Sequence, residues 1–343
     1  MKLKAVKSLF IFVFVSNPVK ILIIRFSSIG DIVLTTPVIR CLKEQFNGEV
    51  EIHYLTKKQY KTVVEHNPHL TKIHAIEKST NEVAEELKAL NFDYGIDLHK
   101  NLRSKRIIKT LKCISFSFDK VNYEKWLLTT FKIDKLPKVH IVDRYLDTLK
   151  HFDVKNDNKG LDYFIGEDDN VILSVLPETH QNGYVGFAIG AQHFTKRLPT
   201  HKIITICKQL NQPIVLLGGP EDAKTAEEIV LAVGGNVFNA CGKFSINQSA
   251  SLVKQCKTLI THDTGLMHIG AALGVKIVSV WGNTVPAFGM YPYYPNNPEK
   301  FTIVENNNLG CRPCSKIGHD KCPKKHFKCM EEIDEAEILR NVR

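Results

Sequence analysis

The chain has 343 residues, 43% hydrophobic and 24% charged, which excludes a disordered or low-complexity polypeptide and, at roughly 150 residues per domain, leads us to expect two domains. Its formal net charge of +10 points to an anionic partner, and nucleic acid, a membrane surface and a phosphorylated lipid or nucleotide all qualify on charge alone. Of nine cysteines, five (Cys41, Cys113, Cys207, Cys241, Cys256) are scattered through apolar stretches, which argues for reduced core thiols in a reducing compartment.

Residues 1–18 combine basic residues with an apolar run at 9–15 that is too short to cross a bilayer and lacks a convincing small-residue cleavage site. The segment reads as a frayed extension, an interfacial anchor or the product of a start codon placed too far upstream. Regular patterning begins at Lys20. The apolar run 21–24 is expected as a strand buried on both faces, followed by an amphipathic helix over 36–46. Further strands are expected at 50–55, 73–76, 94–98 and 114–118, with helices at 60–66, 81–90, 104–111 and 142–152. Strands alternating with helices predict a parallel, doubly wound sheet.

Residues 155–183 break the rhythm with Asn, Asp, Gly and Pro, which marks a crossing between lobes. A second series follows, with strands expected at 184–189, 214–217, 258–261, 276–281 and 301–304 and helices at 200–210, 221–233, 246–256 and 266–273. The expected organisation is therefore an α/β chain with an extension (1–18), a first Rossmann-like lobe (19–165), a linker (166–182), a second Rossmann-like lobe (183–330) and a closing helix (331–343). Two such lobes leave a cleft between them, where folds of this kind place ligands.

At the end of the first strand, Ser27-Ser28-Ile29-Gly30-Asp31 form a small-residue turn that leaves Asp31 at the carboxyl edge of the sheet. Two readings stand: Ser27, Ser28 and Asp31 cap the next helix, or Asp31 is a working carboxylate. Gly30 permits close backbone approach in either case. The second lobe repeats the arrangement in Thr261-His262-Asp263-Thr264-Gly265-Leu266-Met267-His268. Here Asp263 and Thr264 cap a helix, or the amides near Thr264 and Gly265 receive a diphosphate. His268, one turn on, is either a satisfied structural histidine or a further contact to that group.

These two turns, together with Trp281-Gly282-Asn283-Thr284, closely resemble glycosyltransferase family 9, the lipopolysaccharide heptosyltransferases. Ile96-Asp97-Leu98-His99-Lys100-Asn101-Leu102-Arg103-Ser104, Lys196-Arg197-Leu198-Pro199 and Leu217-Gly218-Gly219-Pro220-Glu221 agree with it, so the resemblance runs over nearly the whole chain from Lys20. It implies a GT-B fold, an ADP-activated sugar donor held mainly by the second lobe, an acceptor held by the first, and inversion of the anomeric centre without a metal or other cofactor. Residue by residue, it implies Asp31 as general base, Lys196 as a ligand of the donor phosphates, Glu221 or Asp222 at the adenosine, and Asp263, Thr264, Gly265 and His268 around the diphosphate and sugar. Ser28 and Gly30 fall on the acceptor side. Before Lys196 the sequence departs from the expected polar approach, since between Gly190 and Thr195 only Gln192 and Thr195 offer a side-chain amide or hydroxyl. The resemblance also implies that the closing helix, 333–342, packs back on the first lobe.

The chemistry agrees with these roles. A carboxyl with a reference pKa of about 3.9 is ionised at neutral pH and serves as a base, an effect worth roughly 10² to 10⁴ in rate. A helix start and an ammonium group can stabilise the departing ADP.

Arg25, Lys100, Arg103, Lys105, Arg106 and Arg144 make the first lobe basic. They form a solvated face, or Lys100, Arg103 and Arg144 hold a phosphorylated, lipid-linked oligosaccharide acceptor. That acceptor implies peripheral contact with the cytoplasmic face of the inner membrane. Near the C-terminus, Cys311, Cys314, Cys322 and Cys329 lie together with His319 and His326. They read first as unliganded thiols, then as a structural zinc site, though Cys322 and Cys329 are too widely spaced for a standard ribbon, and last as disulfides. Competing functions are a GT-B sugar-nucleotide epimerase and a non-catalytic, basic, zinc-stabilised binding protein. Dispersed lysines and the lack of an aromatic-interleaved basic motif speak against nucleic acid.

Overall fold

The computed structural model describes residues 17–342, so the expectations for the N-terminal extension, apart from Asn17 and Pro18, lie outside the described residues. Five strands, β1 (Val19–Ile24), β2 (Val50–Lys57), β3 (Lys72–Ile76), β4 (Tyr94–Asp97) and β5 (Ile114–Ser117), form one parallel sheet in the order β3-β2-β1-β4-β5. Six more, β6 (Val185–Ala188), β7 (Ile214–Leu217), β8 (Val237–Asn239), β9 (Thr258–His262), β10 (Lys276–Trp281) and β11 (Phe301–Glu305), form a second parallel sheet in the order β11-β10-β9-β6-β7-β8.

The apolar runs become central strands because both faces are covered. In β1, Ile21 and Ile23 enter one core cluster while Leu22 and Ile24 enter another. In β7, Val215 and Leu217 divide from Ile214 and Leu216 in the same way. This two-residue alternation fixes the register of β1 against its neighbours, with Ile23 beside Tyr54 on one side and Ile96 on the other.

Helices link the strands. In the first lobe they are α1 (Ile29–Val33), α2 (Thr36–Gln45), α3 (Ala84–Ala89), α4 (Leu102–Leu111), α5 (Asn122–Phe131) and α6 (Ile141–Leu146). After the short α7 (Glu178–Gln181) come α8 (Thr200–Leu210), α9 (Ala223–Val233), α10 (Ile246–Gln255), α11 (Gly265–Ala272), α12 (Lys328–Glu331) and α13 (Glu335–Val342). Apart from the one-turn α7 and α12 and short 3₁₀ segments, two elements lie where none is expected from sequence. One is the three-residue β8, which follows Gly234 and Gly235 and is too short to show alternation. The other is α5. The helix expected at 60–66 is instead the 3₁₀ segment Lys58–Val63, and the one at 142–152 is α6 tightening into a 3₁₀ turn over Asp147–Phe152.

The closing helix does not return to the first lobe. Ile338, Leu339 and Val342 of α13 join the core under α8, Lys202 of α8 pairs with Glu335 at 2.8 Å, and Asn341 accepts a hydrogen bond from Thr302 of β11. Its apolar stripe finds a partner in the second lobe, so nothing is left to bury elsewhere.

Strand order places the site. β1 leads to β2 on one side while β4 lies on the other, and β6 and β9 stand side by side with their continuations diverging. Ligands bind at such switch points, outside the carboxyl ends of the strands. The turns after β1, β6 and β9 carry Asp31, Lys196 and Asp263 respectively.

Candidate active site

Asp31 is the third residue of α1. Its Oδ2 accepts hydrogen bonds from the backbone N–H and the hydroxyl of Ser28, at 3.2 and 2.7 Å. Its Oδ1 lies 2.5 Å from the guanidinium of Arg25, the residue that follows β1. Arg25 is buried and fixed on all sides, donating to the carbonyls of Ser27 and Leu98 and to the Tyr145 hydroxyl. The capping and the carboxylate readings therefore coincide in one side chain, which is held rigidly and still keeps 22% of its surface open. Burial by itself pushes the Asp31 carboxyl up, but the Arg25 charge and the Ser28 hydrogen bonds outweigh it and hold the group below its ordinary 3.8.

The second-lobe turn faces it. A Cβ on Gly30 would lie 2.6 Å from the His268 ring, and one on Gly265 would lie 2.8 Å from Ile29, so α1 and the start of α11 meet at a distance only glycine allows. Around that contact Lys196 donates to Asp263 Oδ2 at 2.6 Å and to the Asp263 carbonyl at 3.3 Å, and Thr284 donates to the same carboxylate at 3.0 Å. Neither Asp263 nor Thr264 caps α11, which has no side-chain cap, so its first amides are left to another partner. His268 is 2% exposed, burial pushes its imidazole down to about 4, and its Nδ1 has no hydrogen-bond partner. It is thus a neutral ring wedged between the lobes.

Glu221 and Asp222 separate. Asp222 is buried, accepts from the Gly219 N–H at 3.0 Å and pairs with Arg197 at 3.2 Å. Burial raises its pKa, and its carboxylate braces the Gly218-Gly219 turn. Glu221 is exposed and carries the carboxylate open to a ligand. Arg312 braces the Trp281-Gly282-Asn283-Thr284 turn from behind, donating to the carbonyls of Gly282 and Thr284 while pairing with Glu305.

On the first-lobe side, Lys100 donates to the Phe118 carbonyl at 2.8 Å and Arg103 lies over the Phe26 ring. Arg144 is 5% exposed and reaches across the lobes to the Phe288 carbonyl at 3.0 Å, while its buried Nε has no partner. Lys105 and Arg106 are exposed on α4. Two cations missed in the sequence join this group. Burial, then the charge of Arg144, lowers Lys125 to about 8, and burial, then Arg25, lowers Lys120. Among the described residues none of Lys100, Arg103, Lys120, Lys125 and Arg144 is in an ion pair. Asp31, Asp97 and Asp119 offset these cations only from a distance, an arrangement suited to receiving an anion.

All nine cysteines are free, and among the described residues no group of three or more His, Cys, Asp or Glu side chains is arranged to hold a metal ion. Cys311 Sγ lies 3.9 Å from His326 Nε2, and Cys314 donates to the Cys311 carbonyl. No described helix is long and apolar enough to cross a membrane. A cavity of about 510 Å³ between α9 and β8, lined by Ala223, Val230 and Phe238, lies along the edge of the second sheet and reaches Pro220, next to Glu221.

Comparison with known proteins agrees with the geometry. The family model for glycosyltransferase family 9 (heptosyltransferase) matches residues 80–325. Lipopolysaccharide heptosyltransferase 1 of Campylobacter coli is 24% identical over 94% of this chain and 98% of its own length. Among solved structures, a glycosyl transferase of family 9 from Veillonella parvula superposes with a TM-score of 0.76 at 24% identity, covering 94% of this chain and 95% of that one. The ADP-heptose lipopolysaccharide heptosyltransferase II of Escherichia coli superposes with a TM-score of 0.70 at 19% identity, covering 94% and 97%. The two-lobed arrangement is the GT-B fold of these structures.

Proposed function

The chain belongs to glycosyltransferase family 9 and is a glycosyltransferase enzyme, and from that premise we propose that it moves a heptose or a related sugar from an ADP-activated donor to a phosphorylated, lipid-linked inner-core saccharide of lipopolysaccharide, with inversion at the anomeric carbon. The observation that carries this reading is the juxtaposition of an ionised, rigidly held Asp31 with the uncapped α11 start and Lys196 across the Gly30–Gly265 contact.

The acceptor hydroxyl attacks the anomeric carbon from the first-lobe side, and its proton passes to Asp31 as the new C–O bond forms. The bond from that carbon to the diphosphate breaks on the opposite face, so the configuration inverts. ADP leaves with added negative charge, which the Thr264 and Gly265 amides and the Lys196 ammonium receive. Glu221 takes the adenosine end. Ser28 and Gly30 line the acceptor side, where Lys100, Arg103, Lys120, Lys125 and Arg144 meet acceptor phosphates. Because the acceptor is lipid-borne, the chain works at the cytoplasmic face of the inner membrane as a peripheral protein.

The test is ADP release from ADP-heptose with a deacylated, water-soluble core acceptor. Asp31→Asn is expected to lower kcat by roughly 10² to 10⁴ while leaving donor affinity nearly unchanged. A near-normal rate in that variant removes Asp31 from its role. Return of an epimerised sugar nucleotide with no transfer in the wild-type protein overturns the transferase reading.

A further inference from the structure

Helix α5 is built the wrong way round for a soluble protein. Tyr123, Trp126, Leu127 and Phe131 recur at the spacing of one helix face, and that face points to solvent, with Tyr123, Trp126 and Phe131 exposed by 65, 45 and 55%. The opposite face carries buried Leu128 and the cleft residue Lys125. The exposed rings touch one another, Tyr123 to Trp126 at 6.0 Å and Trp126 edge-on to Phe131 at 5.1 Å between centroids. The segment that follows adds Ile133 and Val139, so five of the twelve large apolar side chains exposed among the described residues fall between 123 and 139.

The stretch of chain that holds this apolar face is strongly basic. Residues 100–140 hold eleven Lys and Arg against three Asp and Glu, which accounts for most of the chain's net charge of +10. Among the described residues none of those eleven cations forms an ion pair, whereas lysines elsewhere, such as Lys58, Lys72 and Lys88, do. Lys135 and Lys138 are exposed beside Ile133 and Val139, and Lys132 follows Phe131. A solvent-facing aromatic stripe is costly in water unless another phase covers it.

We infer that α5 and residues 132–139 form a docking surface for an anionic lipid bilayer, with Tyr123, Trp126, Phe131 and Ile133 in the headgroup boundary and Lys132, Lys135 and Lys138 on lipid phosphates. Aromatic rings with lysines around them match that boundary, where one end of a side chain is apolar and the other wet. The inner face of the same helix presents Lys125 to the cleft, so docking brings the bilayer surface to the acceptor side of Asp31. This inference rests on the lipid-borne acceptor proposed above.

The full chain is tested with vesicles of phosphatidylcholine, with and without phosphatidylglycerol, by co-sedimentation and tryptophan emission. Only two tryptophans are present; Trp281 is 1% exposed, so a change on binding reports Trp126. Binding is expected only with phosphatidylglycerol, weaker at high salt, with a blue shift and quenching by brominated acyl chains. The triple variants Lys132→Gln/Lys135→Gln/Lys138→Gln and Tyr123→Ser/Trp126→Ser/Phe131→Ser are each expected to bind about tenfold more weakly or worse. Both variants should turn over the deacylated acceptor normally and lose rate only on vesicle-embedded acceptor. Vesicle binding without a change in Trp126 emission, no preference for phosphatidylglycerol, or unweakened variants overturn the proposal. So does a wild-type dimer, seen by ultracentrifugation, that the aromatic variant converts to monomer, because a second copy then covers the face. Absence of transfer to the soluble acceptor instead strikes the proposed function and leaves vesicle binding to be judged by itself.

Discussion

The two halves of the cleft handle charge in opposite ways. At the carboxyl edge of the second sheet nearly every charge has an internal partner: Lys196 with Asp263, Arg197 with Asp222, Arg312 with Glu305. At the edge of the first sheet Arg25 pairs with Asp31 and, after β2 and β3, Lys58 with Glu77, but Lys100, Lys120, Lys125 and Arg144 form no ion pair, and Lys100, Lys125 and Arg144 stand with carbonyls or rings. A self-neutralised edge can take up a diphosphate only by giving up an existing bond, here Lys196 to Asp263. An edge of unpaired cations is strained until an anion arrives. The second lobe is thus built for exchange and the first for capture, and both meet at the glycine contact.

That contact is where the comparison can be broken most severely. Gly30→Ala places a methyl 2.6 Å from the buried His268 ring and forces the two turns apart. Because a misplacement of about 1 Å at reacting groups can cost roughly 10² in rate, kcat/KM for transfer should fall by about that factor. Steady-state kinetics with the soluble acceptor measures it. A variant within a few-fold of wild type shows that the lobes work at a separation larger than the one seen here.

A smaller effect is expected in the exchange half. Lys196→Ala removes a charged donor from the diphosphate but also frees Asp263 from its 2.6 Å bond. A hydrogen bond to a charged group contributes about 1.5 to 3 kcal/mol, and part of that is already engaged with Asp263, so donor affinity should weaken on the order of tenfold. Calorimetry with ADP-heptose measures this, and unchanged affinity removes Lys196 from the phosphates.

How much of this was legible in sequence follows from where each signal is stored. Strands buried on both faces announce themselves as unbroken apolar runs, so β1, β7 and β10 are read nearly to the residue. The turns after β1 and β9 are local patterns of small and polar residues, visible without tertiary information. In the sequence Arg25 is one more basic residue. Its partners Leu98 and Tyr145 lie 73 and 120 positions away, and no local pattern records that. Lys120 and Lys125 were missed because α5 was missed. A helix whose apolar face looks outward has no core to enforce its pattern, and its N-cap position is held by Val121 in the left-handed region, with no capping side chain to mark it. The destination of α13 was misjudged because its apolar stripe specifies a partner surface without saying which lobe supplies it.

The smallest expected effect separates the capture half from the exchange half by pH. Lys125, ordinarily at 10.5, titrates at about 8 because it is buried among other cations, and Lys120 is lowered in the same direction. Both are charged at the lower end of the range, and the charge is lost as pH rises through those lowered values. A phosphate monoester has its second pKa near about 6, so above neutrality the acceptor's own charge is constant and any loss of attraction belongs to the protein. Asp31 is held below 3.8 and is ionised throughout, so proton acceptance does not change over the same interval. From pH 7 to 9, therefore, KM for a phosphorylated acceptor should rise several-fold, while kcat and donor affinity stay level. Lys125→Met should raise KM at pH 7 and flatten the rise, and an acceptor without phosphate should show no rise at all. If wild-type KM is flat across this range, or if the rise persists undiminished in Lys125→Met, the unpaired cations of the first lobe are not the acceptor's counter-charge.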